Sequence, residues 1–574
     1  MAAILFYVCK NYGKALSHGT KYIYQTLPRL LTLWLDMGAK NGVQIEPSNS
    51  DKARSPEERG SKFQVVNRMV QKLNERLPAY QFLTAFPQII SRICHRNKSV
   101  FQVLEQIIIN VLTVYPQQAL WAMMSVSRST YKIRANRCNT ILTKVKSDPH
   151  LRNTPKALDI LIPQAIKLTD QLLGVCNYPV SSRETTLSIN RDFRTLQRMT
   201  PLNIIVPLQS TLTVTLPASS QTLSSHNPFP AEQPTIAGFQ DEVEIMHSLQ
   251  KPRKVVMLGN NKKEYTFLCK PKDDLRKDTR LMEFNSMINK LLKKDPESRK
   301  RGLHIRTYAV VPLNEECGLI EWVPNTAGLR HILLKLYKAK NIMTPISQIR
   351  NILEARDRPG PEIFTNLLLP KFPPVFYEWF LETFPEPTSW FSSRVAYATT
   401  AAVMSMVGYV LGLGDRHGEN ILFDATNGDT VHVDFNCLFE KGMTFDFPEK
   451  VPFRLTQNMV DAFGVTGYEG VFRKSCEVSL KLLRNNRESL MCVLETFIHD
   501  PLCEWSKKKP SSMTSGEVEN EHAVRSLQTI DHKLQGLVQA GFPLSIEGQV
   551  DELIRQATDA SNLFKMYIGW AAYM

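Results

Sequence analysis

The sequence lacks the paired cysteines that mark zinc sites and disulfide frameworks. Its 10 cysteines are scattered singly, and none belongs to a C-x-x-C pair, which indicates a reducing, intracellular compartment. The apolar N-terminal residues 1–9 lack the basic stretch that opens a secretory signal peptide. The glycine turn at Gly259 also lacks the pattern of a Walker A phosphate loop.

Long runs of Leu and Ile are missing too, although one uncharged stretch has the length of a membrane span. Residues 395–414 carry no charge, and about twenty apolar residues suffice to cross a bilayer. The stretch is rich in Ala, Ser, Thr, Gly and Tyr. It therefore predicts a buried helix of a soluble fold and no transmembrane segment.

Basic residues are in moderate excess. The 574-residue chain has 70 Lys and Arg against 55 Asp and Glu, a net charge of +15, which would suit a nucleic-acid assembly or an anionic substrate and decides neither. The densest basic run, residues 290–301, has no interleaved aromatic side chains. This favours a solvated loop over direct DNA binding.

Helical spacing dominates the first 180 residues. Apolar residues between Phe101 and Tyr115 recur at helical intervals, and Pro116 suits the first turn of a following helix. Because no strict repeat is visible, the pattern predicts an irregular α-solenoid. Ser, Thr and Pro then become frequent, and residues 219–234 are predicted to form an exposed linker.

A strand-rich region follows the linker. Two apolar runs flank the turn at Gly259 and predict a hairpin, with a helix and two further strands after it. Beyond residue 324 the pattern is mostly helical as far as about residue 505. The predicted segments are strands at 255–258, 265–269, 305–311 and 319–323, a mobile polar stretch at 506–521 and a helical, aromatic end at 542–574. In this last segment, apolar residues from Ile546 to Ala557 recur at intervals of three or four, which predicts a helix with one apolar face that packs on the catalytic unit.

A short pattern around Asp415 carries the chemistry. Asp415 lies five residues before Asn420, the spacing of phosphoryl-transfer catalytic loops in which the Asp accepts the proton of the attacking hydroxyl. Two short apolar runs flank an Asn-Gly turn just beyond and predict a second hairpin. With Phe423 opposite Val431, Asn420 would lie opposite Asp434, and this pair of oxygen ligands suits Mg²⁺. Taken alone, the Asp-Arg-His tripeptide is explained equally well by a structural salt bridge.

A cation for the nucleotide phosphates is predicted at Lys270. It ends the second strand of the first hairpin on the face of Thr266 and Leu268, and several acidic residues follow within 271–278. A lone lysine at a strand end is usually only solvated. The acidic neighbours favour a functional role.

Taken together, these motifs resemble the phosphatidylinositol 3-kinase-related protein kinases. The resemblance rests on Lys270 with its acidic run, on Asp415-Arg416-His417-x-x-Asn420 and on Asp434-Phe435. The segment 115–121 resembles the end of the family's helical FAT region, and Gly569-Trp570 resembles its C-terminal FATC element. Asn436 in place of the usual Gly is typical of the ATR-type branch, and Asn tolerates the positive φ that such a turn can require.

The resemblance implies ATP and Mg²⁺, or Mn²⁺, as cofactors and a role for each motif residue. Asp415 is expected to be the base, with His417 near the transferring phosphoryl group, and Asn420 and Asp434 are expected to hold the metal. The nucleotide is expected to contact five residues: Lys270 at the phosphates, Asp278 and Tyr308 behind the adenine, Trp322 stacked on it, and Val323 through its backbone.

The implied fold is α+β. It is a bilobal kinase with a β-rich small lobe and a helical large lobe, preceded by an α-solenoid and followed by a short helical FATC segment. Because ATR-type kinases are several times longer, the chain is interpreted as a C-terminal portion, a truncated gene model or a divergent short form. The predicted regions are a partial FAT domain at 1–130, a helical connector and linker at 131–236, a catalytic domain at 237–510, a mobile regulatory linker at 511–541 and FATC at 542–574.

The implied function is a nuclear serine/threonine protein kinase of the DNA-damage and replication-stress checkpoint, acting on Ser/Thr-Gln sites. The implied partner is the ATR-interacting protein subunit, which links such kinases indirectly to coated single-stranded DNA within a large hetero-oligomer. A phosphoinositide kinase is the main alternative. However, residues 435–453, here called the activation segment, hold two Lys against three acids, a net of −1, where an anionic headgroup would favour basic residues. An inactive scaffold is the other alternative, although Lys270, Asp415, Asn420 and Asp434 are all present.

Overall fold

The structure is a computed structural model. Its described residues fall into two compact units. The first takes its residues from Met1–Arg280, Tyr308–Trp322 and Cys492–Ser511, and the second from Leu281–Thr307, Val323–Met491 and Ser512–Met574. The structure describes residues 2–42, 56–148, 158–181, 183–248, 250–342, 344–355, 358–498, 521–537 and 542–574.

Helices form the first part of the first unit, as the apolar spacing predicts. The Asn97 side chain caps one of them by accepting from the Ser99 N–H at 3.0 Å, and Pro116 opens the next, where its missing N–H costs nothing. These helices are α1 (Ala2–His18), α2 (Ile23–Gly42), α3 (Pro56–Arg76), α4 (Ala79–Leu83), α5 (Phe86–Ser91), α6 (Lys98–Val114), α7 (Pro116–Ser127), α8 (Lys132–Ser147) and α9 (Leu158–Asn177).

An antiparallel sheet completes the first unit. Its strands are β1 (Thr186–Ser188), β2 (Ile236–Phe239), β3 (Glu242–Ile245), β4 (Arg253–Gly259), β5 (Glu264–Lys270), β6 (Val310–Pro312) and β7 (Gly318–Glu321). They run in the order β1-β3-β4-β5-β7-β6, and β2 also pairs with β4. Three short helices lie among them in the chain: α10 (Ile189–Asp192), α11 (Arg194–Arg198) and α12 (Gln209–Leu212).

The predicted hairpin around Gly259 is confirmed, and its strands are longer than expected. β4 and β5 pair regularly from Arg253–Cys269 to Leu258–Glu264. Two other strands are shorter than predicted, since 305–311 contributes only β6 and 319–323 only β7. The sequence analysis missed β1, β2 and β3. These strands have three or four residues each, too few for alternation to show.

The segment 219–234 is mostly exposed, as predicted, but it is anchored to the first unit. Phe229 is buried, and its ring meets Tyr115 edge-on with centroids 5.7 Å apart. The Tyr80 hydroxyl donates to the Leu223 carbonyl at 2.9 Å. Aromatic side chains therefore hold this exposed segment against the helices.

The remaining elements include a three-stranded sheet and most helices of the second unit. The sheet has the order β10-β9-β8, with β8 (Thr326–Gly328), β9 (Ile421–Asp424) and β10 (Thr430–His432). The helices are α13 (Arg276–Lys294), α14 (Pro296–Lys300), α15 (Leu329–Ala339), α16 (Ile346–Glu354), α17 (Gly360–Glu362), α18 (Phe376–Thr383), α19 (Pro387–Leu411), α20 (Gln457–Ala462), α21 (Val471–Asn485), α22 (Arg487–Ile498), α23 (Glu521–Gln535), α24 (Ile546–Thr558) and α25 (Ala560–Phe564).

The uncharged stretch 395–414 lies mostly in α19. Among the described residues, α19 alone is long and apolar enough to cross a membrane, yet 83% of its apolar window is buried in the fold. This confirms the prediction of a buried helix. α19 ends at Gly412, whose φ of +61° is a left-handed cap. A side chain there would collide with the backbone of Glu440, so the helix end and the activation segment run in close contact.

The predicted mobile linker at 511–541 is wrong in part. Residues 521–535 form α23, and its Ile530 and Leu534 are buried. The apolar spacing of these residues is the signal that was overlooked. The rest of the polar stretch 506–521 lies outside the described residues, as do residues 538–541.

Candidate active site

Lys270 lies at the end of β5 in the first unit, as predicted. The strand buries Phe267 and Cys269 and leaves Lys270 on the opposite, half-buried face. Its Nζ lies 2.5 Å from Asp273 Oδ2, and the two side chains are 13% and 10% exposed. The predicted acidic partner is thus present. Water is largely excluded from this ion pair, which orients the ammonium group.

The predicted nucleotide residues differ in their burial. Asp278 and Tyr308 are buried, whereas Trp322 is only half-buried and so is not a core residue. The Trp322 N–H donates to the Thr266 carbonyl at 3.0 Å, which continues the β5–β7 pairing by one residue. Val323 belongs to the second unit, and its carbonyl accepts from the Thr326 hydroxyl at 2.9 Å. The nucleotide roles of these residues stay predictions.

The β9–β10 hairpin exists, but its register differs from the prediction by one residue. Phe423 pairs with Thr430 and not with Val431. The turn explains the difference, because the Asp424 N–H donates to the Asp429 carbonyl at 3.0 Å. The Asp424 carboxylate also caps the turn. The loop between Asp424 and Asp429 therefore has four residues, whereas the predicted register, with residue 424 opposite residue 430, left five.

The prediction that Asn420 faces Asp434 directly is therefore wrong. The Val433 N–H donates to the Asn420 carbonyl at 3.1 Å, so Asp434 lies one residue further along. Arg416 ties the two backbones together from within the fold, where it is 3% exposed. Its guanidinium donates to the carbonyls of Val433 at 2.8 Å, of Asp434 and, at 3.5 Å, of Asn420.

The backbone at the two acidic site residues is strained. Asp415 has a φ of +59° and Asp434 a φ of +58°, in the left-handed region that costs a non-Gly residue about 1–2 kcal/mol. The sequence suggested that Asn436 would take a positive φ, but the strain falls on Asp434. The Asn436 amide donates instead to Asp434 Oδ1 at 2.9 Å, which fixes the orientation of the carboxylate.

His417 lies beside the predicted base. Its Nδ1 accepts from the Glu419 N–H at 3.2 Å, so the neutral ring carries its proton on Nε2, which lies 4.0 Å from Asp415 Oδ1. Burial raises the pKa of Asp415 and lowers the pKa of His417. A neutral imidazole N–H therefore stands beside a half-exposed carboxylate.

Asn420 and Asp434 carry the kinds of oxygen atom that Mg²⁺ prefers in proteins. The Asn420 Nδ2 donates to the Asp415 carbonyl at 2.9 Å, which directs the amide oxygen away from that bond. No cluster of three or more His, Cys, Asp or Glu side chains forms a metal cage within the described part of the chain. Mg²⁺ usually binds one or two protein oxygens together with substrate phosphates and water, so two ligands are sufficient.

Asp415 and His417 open into a cavity of about 590 Å³ in the second unit. Aromatic rings from the activation segment and from the terminal segment, residues 542–574, form its apolar wall. Carboxylates outnumber guanidinium groups in the lining by four to one. The rings are Phe445, Phe447, Tyr567 and Trp570, the acids are Asp415, Glu419, Asp446 and Glu449, and the guanidinium is that of Arg330.

The terminal segment docks on the end of the activation segment, in agreement with the apolar face that its sequence predicts. Arg454 is buried and donates to the carbonyls of Trp570 at 2.6 Å and Ala571 at 2.8 Å. Its guanidinium carbon lies 4.3 Å from the Trp570 ring centroid. Burial lowers the pKa of Arg454 to about 9. The same guanidinium lies 3.4 Å from the Arg416 carbonyl, so the terminal segment reaches the residues around Asp415.

Two residues that contact the site were missed. Arg416 was assigned no task, although the structure gives it contacts on both sides of the β9–β10 hairpin. Glu449 was counted only as a charge, yet its carboxylate accepts from the Asp415 N–H. The sequence signal for this contact is the pair Gly414 and Gly442, because a side chain at either position would overlap the Glu449 carboxylate.

Three family models match separate parts of the chain. The model described as phosphatidylinositol 3- and 4-kinase matches residues 264–507. The model of HEAT repeats in ATR-like serine/threonine-protein kinases matches residues 65–169, and the FATC domain matches residues 543–574.

The whole chain is similar to much longer kinases. It is 50% identical over 572 residues to protein kinase rad3 of Schizosaccharomyces pombe, with 99% of this chain and 24% of that protein covered. It is 48% identical over 569 residues to the serine/threonine-protein kinase ATR of Arabidopsis thaliana, with 97% of this chain and 20% of that protein covered. The chain thus spans at most about a quarter of the length of these two relatives.

A solved structure gives the same result for the fold. The FAT and kinase domain of CtTel1 superposes with a TM-score of 0.81 at 28% identity and covers 100% of this chain and 38% of that one. The expected architecture of helical region, β-rich lobe, helical lobe and terminal FATC helices is therefore confirmed. By sequence and by fold, the chain belongs to the phosphatidylinositol 3-kinase-related kinase family and corresponds to the C-terminal portion of its ATR and Rad3 members.

Proposed function

We propose that the chain is a serine/threonine protein kinase that transfers the γ-phosphoryl group of ATP to Ser or Thr followed by Gln. The observation that carries this proposal is the position of Asp415, a half-exposed residue in the lining of an acidic cavity that also has aromatic rings in its wall. A peptide fits such a wall through apolar and hydrogen-bonding contacts. In the cell, the proposed role is checkpoint signalling after DNA damage and replication stress, in the nucleus.

The proposed transfer needs one proton acceptor and several fixed charges. Asp415 accepts the proton of the substrate hydroxyl while that oxygen attacks the γ-phosphorus, and the bond to the β,γ-bridging oxygen breaks. The His417 Nε2–H is oriented by the Glu419 contact and stabilises negative charge that develops on the transferred group. Mg²⁺, or Mn²⁺, held by Asn420 and Asp434 would supply further charge neutralisation to the phosphates.

The nucleotide is assigned to the residues that the resemblance implies. Lys270, already oriented by Asp273, is proposed to contact the phosphates. Asp278 and Tyr308 would lie behind the adenine, Trp322 would stack on it and Val323 would bind it through the backbone. The half-buried Trp322 ring supports the stacking role, because a core Trp has no accessible face.

The charge around the base favours a protein acceptor over a phosphoinositide. A phosphorylated inositol carries several negative charges, and the four carboxylates of the cavity would repel it. The activation segment has a net charge of −1 and offers little compensation. Recruitment to coated single-stranded DNA is proposed to pass through an ATR-interacting protein subunit in a hetero-oligomer. The predicted domain boundaries belong to this proposal.

A single assay separates the alternatives. The purified chain, Mg²⁺ and labelled ATP are offered a Ser-Gln peptide, the matched Ser-Ala peptide, and phosphatidylinositol vesicles in parallel. We expect label in the Ser-Gln peptide, at least tenfold less in the Ser-Ala peptide, and none in lipid. Label in lipid but not in peptide would refute the protein-kinase proposal, and no label in any arm would indicate an inactive chain.

A further inference from the structure

The carboxylate of Glu449 is hydrogen-bonded to the backbone of Asp415, the residue proposed as the base. Its two oxygens lie 3.0 and 2.9 Å from the Asp415 amide nitrogen, and that N–H donates to them. The two residues are 34 positions apart, and Glu449 lies within the activation segment. A carboxylate that accepts from a backbone N–H makes a stronger bond than a neutral acceptor.

Two glycines make room for this carboxylate. A Cβ atom at Gly414 or at Gly442 would overlap Glu449 Oε2. The Glu449 N–H also donates to the Gly442 carbonyl at 3.0 Å, which brings the activation segment back on itself. The backbone at Gly414 and at Gly442 therefore flanks the carboxylate on two sides. Neither glycine has a positive φ, so the closeness of the carboxylate, and not the backbone conformation, accounts for a glycine at each position.

The contact falls where the backbone needs support. Asp415 holds its left-handed φ of +59° directly after Gly414, whose N–H donates to the Cys437 carbonyl at 2.8 Å. Strain at such a residue persists only when the surroundings over-determine it. A charge-assisted hydrogen bond to the strained residue's own N–H is of the right size to offset that strain.

We propose that Glu449 is a positioning residue that holds the Asp415 backbone in its reactive conformation and so makes proton transfer depend on the folded activation segment. This inference rests on the proposed function of Asp415 as base. Glu449 touches neither the nucleotide phosphates nor the reacting oxygen in this account. It acts through the backbone of residue 415.

A rival explanation is that Glu449 binds the substrate, because it also lines the cavity. The two roles differ in their kinetics. Loss of a substrate contact raises the KM for the peptide, whereas misplacement of the base lowers kcat, and a displacement of about 1 Å can cost roughly 10²-fold. The positioning role also predicts a change in the free enzyme, since the hydrogen bond exists without substrate.

The test compares Glu449→Ala, Glu449→Gln and, as matched control, Glu382→Gln at an exposed position of α18. We expect Glu449→Ala to lower kcat by about 10- to 100-fold with both KM values within about twofold of wild type. Glu449→Gln keeps an acceptor oxygen and is expected to recover most of that loss, and the control should match wild type. A normal kcat, or a raised peptide KM at normal kcat, in Glu449→Ala would overturn the proposal.

Hydrogen exchange of the free chain provides the second readout. In Glu449→Ala, a peptide covering residues 413–420 should exchange faster, while peptides from β4 and β5 are unchanged. Should Glu449→Ala fail to fold, Gly442→Ala displaces the same carboxylate without altering charge and should give the same exchange pattern. Unchanged exchange in a folded variant would overturn the proposal. If Asp415→Asn retained turnover, the base assignment would fail, yet the exchange data would still decide the Glu449 contact.

Discussion

Two hairpins carry the proposed chemistry, and they are built on opposite principles. In β4–β5 the strands pair without interruption from Arg253–Cys269 to Leu258–Glu264, and simple alternation places Lys270 on the face opposite the buried Phe267 and Cys269. In β9–β10 only three residue pairs form. The chain then leaves the ladder through Asp434, in a backbone conformation that ordinary residues avoid.

The difference teaches where each kind of group can be placed. A long, flexible lysine tolerates a regular strand, because its ammonium group reaches its target by rotation about its side-chain bonds. Short Asp and Asn side chains have no such reach, so the backbone itself must be bent to aim them. That bending requires support from outside the hairpin, which Arg416 and the residues packed around it provide.

The largest effect is expected from deletion of residues 560–574, which should weaken the irregular hairpin and spare the regular one. The deletion removes the buried Leu563, Met566, Trp570 and Tyr573, each worth roughly 1.5–3 kcal/mol, and exposes the guanidinium of Arg454. We expect the second unit to lose more than about 4 kcal/mol of stability and the chain to lose most of its turnover. Calorimetry and the peptide assay measure both.

Lys565→Ala serves as the control for this deletion, because Lys565 is an exposed side chain in the same segment and should change neither quantity. If the truncated chain does not fold, Trp570→Ala gives a milder version, with about 3–5 kcal/mol lost. A truncated chain with the wild-type thermal midpoint and turnover would show that the terminal segment plays no part in catalysis.

The next-largest effect is expected at Asp434, on the irregular hairpin. Asp434→Ala should leave the fold intact and lower kcat by about 10²–10³-fold, because a preorganised charge at the transferring group is lost. Steady-state kinetics at saturating Mg²⁺ measures this, with the exposed Asp159→Ala as control. Retention of more than about a tenth of wild-type turnover would show that Asp434 is not a metal ligand.

The smallest effect is a difference in stability between substitutions in the β9–β10 turn and in the β4–β5 turn. In the β9–β10 turn Gly428 has a φ of +81°, and a Cβ there would meet the Ser393 backbone, so Gly428→Ala should destabilise by about 1–3 kcal/mol. In the β4–β5 turn Lys262 has a φ of +64°, and Lys262→Gly should be neutral or stabilising by up to about 1 kcal/mol. Chemical unfolding monitored for each unit measures both. Equal responses of the two turns would contradict the comparison.

Sequence reasoning recovered the elements whose pattern is long and local. The α6 and α7 helices, the β4–β5 hairpin, the Asp273 partner of Lys270 and the apolar face of α24 all follow from spacing within a few residues. The family resemblance supplied the rest of the catalytic assignment, and those residue roles stay predictions.

The errors that sequence reasoning made at the candidate site come from long-range contacts. The β9–β10 register depends on Asp424 and Asp429, which both pair with the distant Arg306 at 2.8 and 3.0 Å. The alternation of polar and apolar residues along a strand gives no information about these ion pairs with Arg306. The Glu449 contact likewise joins residues 34 positions apart, and the strain at Asp434 instead of Asn436 depends on where Arg416 takes hold. Each of these errors at the site comes from a tertiary contact overriding a local rule, whereas β1, β2 and β3 were missed because they are short and α23 because its apolar spacing was overlooked.

The acceptor cavity has walls from two distant parts of the chain, and this has an evolutionary consequence. Phe447 of the activation segment and Tyr567 of the terminal segment both line it, with ring centroids 5.6 Å apart. Under the proposed function, a substitution of Tyr567 changes which peptides enter while leaving stability largely untouched, since Tyr567 is 55% exposed. Selection on substrate choice therefore acts on the exposed Tyr567, whereas selection on folding acts on buried neighbours such as Trp570, so the two can change independently within one short segment.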